Sequence, residues 1–276
     1  MSDMNMNFCR RGEHLMNALD RLRVKRDLRV FVTAGAQGIG KVIALAFLDA
    51  GARVVVTDID RDRLDDLART YPAITCFVAD AASADQLAQV DKFIEEEFGG
   101  LDVLVNNAGI AGDTAPVDDI GTESWDETIS VNLSGMFYTS KRFARYLRAS
   151  HGMMINMASV AGRLGFGLRS PYAASKWGVV GFTKSLAVEL GPEGVRVNAI
   201  LPGIVEGPRI DRVINARARA RGITYDQMRD ELLSHVSLRQ MVTADDIASM
   251  CLFLATPGGA KITGQALSVC GNVEVL

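Results

Sequence analysis

Short apolar runs rich in β-branched residues alternate with longer amphipathic segments from about residue 28 onward. This alternation is typical of βαβ units, in which helices cover both faces of a parallel sheet. The pattern therefore predicts an α/β fold with a doubly wound parallel sheet of about seven strands. The predicted strands are 28–33, 53–57, 74–79, 103–106, 153–157, 196–200 and 266–269, and the clearest predicted helices are 41–50, 84–98, 123–147 and 172–190.

Two segments interrupt the alternation. Residues 1–27 precede the first strand and are expected to form an N-terminal extension, with a short helix over 13–23. Residues 203–235 are rich in arginine and follow a strand end, where α/β folds place ligand loops, so we expect a substrate lid there. No linker or repeat divides residues 28–276, which predicts a single catalytic domain.

Composition restricts the class of partner. The chain has 30 basic and 33 acidic side chains and a net charge of -3, so we expect it to bind neither nucleic acid nor a membrane surface. No apolar segment is long enough to span a bilayer. The cysteines are scattered, which predicts a cytoplasmic protein without a zinc site or disulfide framework. They are Cys9, Cys76, Cys251 and Cys270.

A glycine-rich turn connects the first strand to the first helix, with the sequence TAGAQGIG over residues 33–40. Glycines allow close backbone approach, and a helix N-terminus presents unpaired N–H groups to a pyrophosphate. The turn therefore predicts a Rossmann-type dinucleotide site, although a tight turn without a ligand is the simpler alternative. The residues expected to contact the cofactor here are Gly35, Gln37, Gly38, Ile39 and Gly40.

Asp58 closes the second strand, 18 residues after Gly40. A carboxylate at this position can accept hydrogen bonds from the adenine ribose and repels a 2′-phosphate. Gln37 agrees with this prediction, because a basic residue would be expected beside an additional phosphate. The sequence therefore favours NAD over NADP, with a solvated strand-end Asp58 as the alternative.

Tyr172 and Lys176 are spaced to share one helix face. Ser170 is expected to be the N-cap and Pro171 the first helical residue, so that Tyr172 lies in the first turn. A nearby cation and the positive helix end both favour the phenolate, which makes Tyr172 a candidate general acid/base. A half-buried tyrosine and a surface lysine without chemistry are the alternative.

Two further polar residues lie where active-site groups are expected. Ser159 follows the strand 153–157, at a strand carboxyl end, and its hydroxyl could orient a substrate oxygen. Asn132 interrupts the predicted helix 123–147, where a poor helix former needs a partner, and it could support a proton relay from Lys176.

These motifs resemble the short-chain dehydrogenase/reductase family from about residue 28 to 272. The family's Tyr-x-x-x-Lys matches Tyr172 and Lys176, its serine matches Ser159 and its helix asparagine matches Asn132. The resemblance implies a homotetramer that oxidises an alcohol or reduces a ketone with a nicotinamide cofactor. It also implies cofactor contacts from Asp80, Asn107, Ala108, Gly109, Tyr172, Lys176, Pro202, Gly203 and Val205.

The chain departs from the family pattern at three positions. Ala34 replaces the first glycine of the turn, so the turn is expected to close differently. Gly207 replaces a frequent threonine five residues after Pro202, and Cys270 stands where an aspartate is usual. The motifs predict an NAD-dependent enzyme; the alternatives are an NAD(P)H-dependent carbonyl or 3-oxoacyl reductase and a non-catalytic nicotinamide-binding sensor.

Several arginines surround the predicted site. Arg169, three residues before Tyr172, is the best candidate for binding an anionic group of the substrate, because guanidinium groups bind carboxylates and phosphates through paired hydrogen bonds. The simpler alternative is that most of these side chains are solvated. The other members of the set are Arg163, Arg209, Arg212, Arg217, Arg219 and Arg221.

Overall fold

The structure, a computed structural model, describes residues 17–275 except for the side chains of Ala216 and Ala220. All seven predicted strands are confirmed, with each end within two residues of its prediction. The strands are β1 Arg29–Thr33, β2 Arg53–Asp58, β3 Ile74–Val78, β4 Val103–Asn106, β5 Met153–Met157, β6 Arg196–Pro202 and β7 Ala266–Val269. They form one parallel sheet in the order β3-β2-β1-β4-β5-β6-β7.

Helices connect the strands. The predicted helix 123–147 is interrupted by a π-helical segment, Ser130–Ser134, which contains Asn132. A second π-helical segment, Ile94–Phe98, ends the predicted helix 84–98, which begins later, at Leu87. The α-helices in the described range are α1 Gly38–Asp49, α2 Arg61–Thr70, α3 Leu87–Phe93, α4 Thr122–Ile129, α5 Gly135–Ser150, α6 Ser170–Leu190, α7 Pro208–Arg221, α8 Tyr225–Ser234 and α9 Ala244–Ala255.

Helices bury both faces of the sheet, which explains why its strands are apolar at consecutive positions. Val30 and Val32 of β1 belong to a core with Phe47 of α1. Phe31 points to the opposite face, where its ring meets Phe143 of α5 edge-on at a centroid distance of 5.1 Å. The predicted doubly wound Rossmann-type architecture is therefore confirmed.

The strand order reverses at β1, which pairs with β2 on one side and β4 on the other. In open α/β sheets a crevice forms at such a reversal, outside the carboxyl ends of the strands. The glycine-rich turn follows β1 at this edge, and the segments after β4, β5 and β6 leave the same edge. The topology thus places most of the predicted site residues on one side of the sheet.

The two segments outside the alternation differ in structure. Residues 1–16, and with them part of the predicted helix 13–23, lie outside the described residues; residues 17–27 contain one 3-10 turn, Asp20–Leu22. The predicted lid contains α7 and α8, and Val205 forms an isolated parallel bridge with Val242. None of the helices in residues 17–275 is both long enough and apolar enough to cross a membrane.

An ion pair joins β1 to β4 at the amino ends of the two strands. The Asp102 carboxylate accepts hydrogen bonds from the backbone N–H of Arg29 at 2.8 Å and from Nε and Nη2 of its guanidinium at 2.9 and 2.8 Å. Burial raises the pKa of Asp102, but the hydrogen bonds and charge of Arg29 outweigh that effect and lower the pKa. The charged carboxylate therefore stabilises the central strand pair.

We expect Asp102→Asn to lower the melting temperature by an amount that depends on pH. Because the folded pKa is lowered, the contribution of the charge is fully present above the ordinary Asp pKa of about 3.9 and is lost as the pH falls through the folded value. The difference between wild type and variant should be constant from about pH 7 to pH 5 and narrow below about pH 4. Asp66→Asn, at an exposed pair with Arg69, is the control and should change little. A pH-independent difference would contradict the role of the charge.

Candidate active site

Thr33 and Asn107 connect the ends of β1 and β4. The Thr33 hydroxyl accepts hydrogen bonds from the backbone N–H of Asn107 at 3.0 Å and of Ala108 at 3.1 Å. The Asn107 side chain donates in return to the carbonyl oxygens of Thr33 at 3.1 Å and Ala34 at 3.0 Å. The start of the glycine-rich turn is thereby fixed relative to the segment after β4. Nothing in the local sequence marks Thr33 for this role.

Ala34 explains how the turn closes without the first glycine. Its φ of 50° lies in the left-handed region that glycine normally occupies, so alanine adopts the required conformation at some cost in strain. Gly40 tolerates no side chain, because a Cβ there would lie 2.3 Å from the Ala34 oxygen and 2.4 Å from Asn107 Nδ2. Gly38 has a φ of 52° and only open space where a Cβ would be. The turn is thus closely packed on one side and open at the start of α1.

The N-terminus of α1 is available to an anion. Its N-cap residue, Gln37, makes no side-chain capping bond, and the first N–H groups of a helix have no partner inside the helix. Those groups and the positive end of the helix dipole favour a bound phosphate group. The residues present therefore fit the pyrophosphate of a dinucleotide.

Asp58 is not a solvated strand end. Its side chain is buried, Oδ2 accepts a hydrogen bond from the Ala36 backbone N–H at 3.1 Å, and Oδ1 accepts one from Asp60 N–H at 3.2 Å. The carboxylate is therefore fixed against the glycine-rich turn. Asp80 plays a similar part at the end of β3, where its Oδ1 accepts a hydrogen bond from Ala82 N–H at 2.8 Å.

A basic side chain reaches the turn from α2. The Arg63 guanidinium donates to the Gln37 side chain and forms an ion pair with Asp60 at 2.8 Å. The glycine-rich turn itself contains no basic residue before Lys41, so Arg63 is outside the segment that the motif marks. A contact between residues 26 positions apart gives no signal in local sequence.

Tyr172 and Lys176 lie on the first turns of α6. The helix begins at Ser170, and its N-cap is Arg169, which makes no side-chain capping bond. The assignment of Ser170 as N-cap and of Pro171 as the first helical residue was therefore wrong by one position. Lys176 is buried, its Nζ is 5.7 Å from the centroid of the Tyr172 ring, and it donates to the Met157 carbonyl at 2.8 Å.

Opposing effects set the acidity of this pair. Burial has the largest effect and raises the pKa of Tyr172, but Lys176, Arg209, a hydrogen bond with Ser159 and Arg169 together lower the pKa below its usual value. Burial has the largest effect on Lys176 and lowers its pKa. The Tyr172 phenol raises this pKa and the charge of Arg209 lowers it, so the pKa of Lys176 is below its usual value. The environment thus favours a tyrosine that can lose its proton at a lower pH than usual.

Ser159 and Asn132 complete the arrangement. Ser159 precedes a 3-10 turn, and its Oγ accepts a hydrogen bond from Ala161 N–H at 3.2 Å. Asn132 is fully buried; its Oδ1 accepts from Ile110 N–H at 2.7 Å, and its Nδ2 donates to the Ser175 hydroxyl at 3.0 Å. A Cβ on Gly109 would lie 3.2 Å from Asn132 Oδ1 and 3.3 Å from Lys176 Nζ, so both groups border the same glycine.

The segment after β6 approaches the C-terminal part of the chain. A Cβ on Gly203 would lie 2.7 Å from Cys270, so the two backbones are in close contact. Gly207 has a φ of 134° and is the N-cap of α7, which begins at Pro208. The backbone conformation therefore explains glycine at position 207, and nothing in the structure explains cysteine rather than aspartate at position 270.

The arginines of the predicted entrance have different environments. Arg163 donates to the Val273 carbonyl at 3.2 Å, and Arg221 pairs with Glu231 of α8. Arg169 is buried, and its guanidinium lies 5.0 Å from the Tyr172 ring centroid. The structure thus brings Arg169 to the candidate site and gives Arg163 and Arg221 partners elsewhere. Arg209, Arg212 and Arg219 are exposed, and Arg217 is half-buried.

A buried polar network lies behind the site. Asn106 Nδ2 donates to Asn156 Oδ1 at 2.9 Å, and its Oδ1 accepts from the Thr139 hydroxyl at 2.6 Å. Asn156 continues the network to the Thr183 hydroxyl at 2.9 Å. Asn156 did carry a signal, because it is the one polar residue in the buried strand β5.

Comparisons with known proteins agree with the geometry. Residues 33–272 match the model of a family described as enoyl-(acyl carrier protein) reductase. A short chain dehydrogenase/reductase of Colletotrichum higginsianum is 37% identical over 246 residues, which cover 86% of this chain and 90% of that protein. An NAD+-bound xylitol dehydrogenase is similar with a TM-score of 0.83 and 26% identity, over 90% of this chain and 99% of the other. An actinorhodin polyketide ketoreductase with NADPH is similar with a TM-score of 0.84 and 32% identity, over 90% and 97% of the two chains. The chain belongs to the short-chain dehydrogenase/reductase family of oxidoreductases, as its motifs implied.

Proposed function

We propose that this chain is an NAD-dependent dehydrogenase/reductase that acts on a secondary alcohol or the corresponding ketone. The observation that carries the proposal is the environment of Tyr172, whose ring lies 5.7 Å from the buried Lys176 ammonium and 5.0 Å from the Arg169 guanidinium. A tyrosine whose pKa is lowered in this way suits general acid/base catalysis on a hydroxyl group. Family membership supports an oxidoreductase that uses a pyridine nucleotide.

The glycine-rich turn fits the cofactor, because α1 offers free N–H groups beside the open Gly38. When bound, the nicotinamide supplies or accepts the hydride. Asp58 favours NAD, since each oxygen of its fixed carboxylate has a second lone pair to offer a ribose hydroxyl. The residues proposed to contact the dinucleotide are Gly35, Gln37, Gly38, Ile39, Gly40, Asp58, Asp80, Asn107, Ala108, Gly109, Tyr172, Lys176, Pro202, Gly203 and Val205.

Each catalytic residue has a separate part in the proposal. The Tyr172 phenolate takes the proton of the substrate hydroxyl in the direction of oxidation and returns it in reduction. Lys176 favours the phenolate by its charge, and Ser159 orients the substrate oxygen. Asn132, locked by Ile110 and Ser175, supports the path by which the proton leaves Lys176.

An NAD(P)H-dependent carbonyl or 3-oxoacyl reductase is the second candidate. The observation that favours it is Arg63, whose guanidinium lies beside Gln37 and could bind a 2′-phosphate by releasing Asp60. The buried carboxylate of Asp58 opposes this alternative, because a phosphate beside it would meet a like charge.

We also propose a homotetramer in the cytoplasm. Large apolar side chains are exposed on α4, α5 and α6: Trp125, Phe137, Trp177 and Val188. The ring centroid of Phe137 is 6.4 Å from that of Phe182, so α5 and α6 present part of this surface together. The cytoplasmic location is supported by the free thiols of Cys76, Cys251 and Cys270.

Tyr172→Phe should reduce turnover at least about a hundredfold with every substrate, because the ring remains but the proton acceptor is lost. NAD binding, measured by calorimetry, should be nearly unchanged. Tyr146→Phe is the matched control, since its hydroxyl bonds to Asp91 on α3 instead. Turnover close to wild type in Tyr172→Phe would refute the mechanism.

The oxidation rate of the wild type should rise with pH as Tyr172 loses its proton, at a pH set by its lowered pKa. Lys176→Met should move that rise to higher pH, because the cation that favours the phenolate is lost.

Asp58→Ala should weaken NAD binding and bring the kcat/KM ratio of NAD to NADP closer to one, because it removes ribose contacts and a repulsive charge. We expect a change in that ratio of about tenfold or more. Arg63→Ala separates the two candidate functions: it should leave the ratio unchanged in an NAD enzyme and lower activity with NADP in an NADP enzyme. An unchanged ratio in Asp58→Ala would contradict the NAD assignment.

Phe137→Lys should dissociate the proposed tetramer, because a charge in a buried apolar contact is costly unless it is paired. Light scattering after gel filtration gives the mass of wild type and variant. Leu22→Lys, which also changes an exposed leucine but lies on the 3-10 turn of the N-terminal extension, should leave the mass unchanged. A monomeric wild type would contradict the proposal.

A further inference from the structure

The Arg169 guanidinium, from the loop before α6, lies against the Tyr172 ring. Arg209 and Arg217 both belong to α7, and the charge of Arg209 acts on Tyr172. The guanidinium carbon of Arg169 is 5.0 Å from the Tyr172 ring centroid and 5.2 Å from that of Phe166, so the cation contacts two aromatic rings. The charges of Arg209 and Arg217 act on Arg169 and lower its pKa, after the larger effect of burial.

Arg169 has donors that the protein does not use. Its side chain is only 7% exposed, and Nη2 donates to the Ala111 carbonyl at 2.8 Å. Nε is sealed from solvent and has no hydrogen-bond partner within residues 17–275. Nη1 also makes no hydrogen bond within residues 17–275. Unlike Nε, it is accessible to solvent, so a bound ligand can accept a hydrogen bond from it.

The described part of the chain provides no carboxylate within ion-pair distance of Arg169, Arg209 or Arg217. A buried cation without a counter-ion costs free energy. An anion bound beside Tyr172 would offset that cost. Arg221 of the same set pairs with Glu231. Arg169 differs from the other arginines of the set because it is buried and still lacks a carboxylate among the described residues.

We propose that Arg169 binds the carboxylate of a small hydroxy acid or oxo acid whose alcohol or ketone carbon reacts at Tyr172. The proposal rests on the proposed function of Tyr172. A carboxylate fits because it is planar and singly charged, as the guanidinium is. The short distance between Arg169 and the Tyr172 ring requires that only a few bonds separate the carboxylate from the reacting carbon.

The carboxylate is unchanged by the reaction. In oxidation the carbinol carbon loses a hydride to the oxidised dinucleotide, and its hydroxyl loses a proton to the Tyr172 phenolate, so a ketone forms. Arg169 holds the substrate through a group that does not react. It therefore contributes to binding of substrate and transition state alike, and its loss should appear mainly in KM.

A binding experiment tests the site without turnover. Butyrate, butyramide and methyl phosphate are titrated by ligand-observed NMR into wild type, Arg169→Gln and Arg221→Gln, with and without NAD. Butyrate should bind wild type and Arg221→Gln at least about tenfold more tightly than butyramide, and this preference should disappear in Arg169→Gln. Equal binding of butyrate and butyramide to wild type, or a preference that survives in Arg169→Gln, would overturn the proposal. Tighter binding of methyl phosphate than of butyrate would overturn the assignment to a carboxylate.

Steady-state kinetics separates this inference from the function on which it rests. With 3-hydroxybutyrate and its neutral amide as substrates, Arg169→Gln should raise KM for the acid at least about tenfold and leave KM for the amide and for NAD unchanged. If Arg169 served only Tyr172, the variant would lower kcat equally with acid and amide, which would overturn the proposal. Binding of butyrate through Arg169 without oxidation of any alcohol would instead overturn the proposed function.

The wild type alone provides a second measurement if Arg169→Gln does not fold. The KM of the wild type should be lower for 3-hydroxybutyrate than for its amide, because the buried guanidinium attracts only the acid. A wild type that oxidises the amide as readily as the acid would overturn the proposal and leave the proposed function intact.

Discussion

The Asn107 side chain fixes the glycine-rich turn at the point where the strand order reverses. It donates to two consecutive carbonyls at the end of β1, those of Thr33 and Ala34. The Thr33 hydroxyl in turn accepts hydrogen bonds from the first two backbone N–H groups after β4. A buried parallel sheet leaves these backbone groups without a ladder partner beyond the strand ends, so side chains must satisfy them. The same contacts fix the position of Ala34, the close approach of Gly40 and the start of α1. The proposed cofactor site therefore depends on the polar contacts that hold the glycine-rich turn in place.

A second constraint governs the chemistry. Lys176 is buried and Tyr172 is half-buried, and burial alone would favour the uncharged amine and the uncharged phenol. The positive charges around Tyr172 reverse this effect for the phenol, whereas Lys176 is held by the Met157 carbonyl at the end of β5. The sheet edge thus positions the ammonium, and the ammonium and neighbouring arginines set the acidity of the phenol.

The sequence predicted the strands well because burial on both faces leaves continuous apolar runs, as in β2 and β5. It also predicted that Asn132 disturbs its helix, since a buried asparagine must leave the regular ladder to reach Ile110 and Ser175. It could not predict contacts made across the fold. Arg63 reaches Gln37 from another helix, and the arginines near Tyr172 differ in burial and partners although they look alike in sequence.

Helix α7 would connect the proposed substrate binding to the acid/base chemistry of Tyr172 through charge. Arg209 lies on α7 and is exposed, yet its charge lowers the pKa of both Tyr172 and Lys176. A bound carboxylate beside Arg169 would oppose the effect of these cations on the phenol, because a negative charge near Tyr172 disfavours the phenolate. The charge of Arg209 would then compensate for the charge of the anion. The proposed anionic substrate and an acidic Tyr172 would be compatible because α7 supplies this additional positive charge.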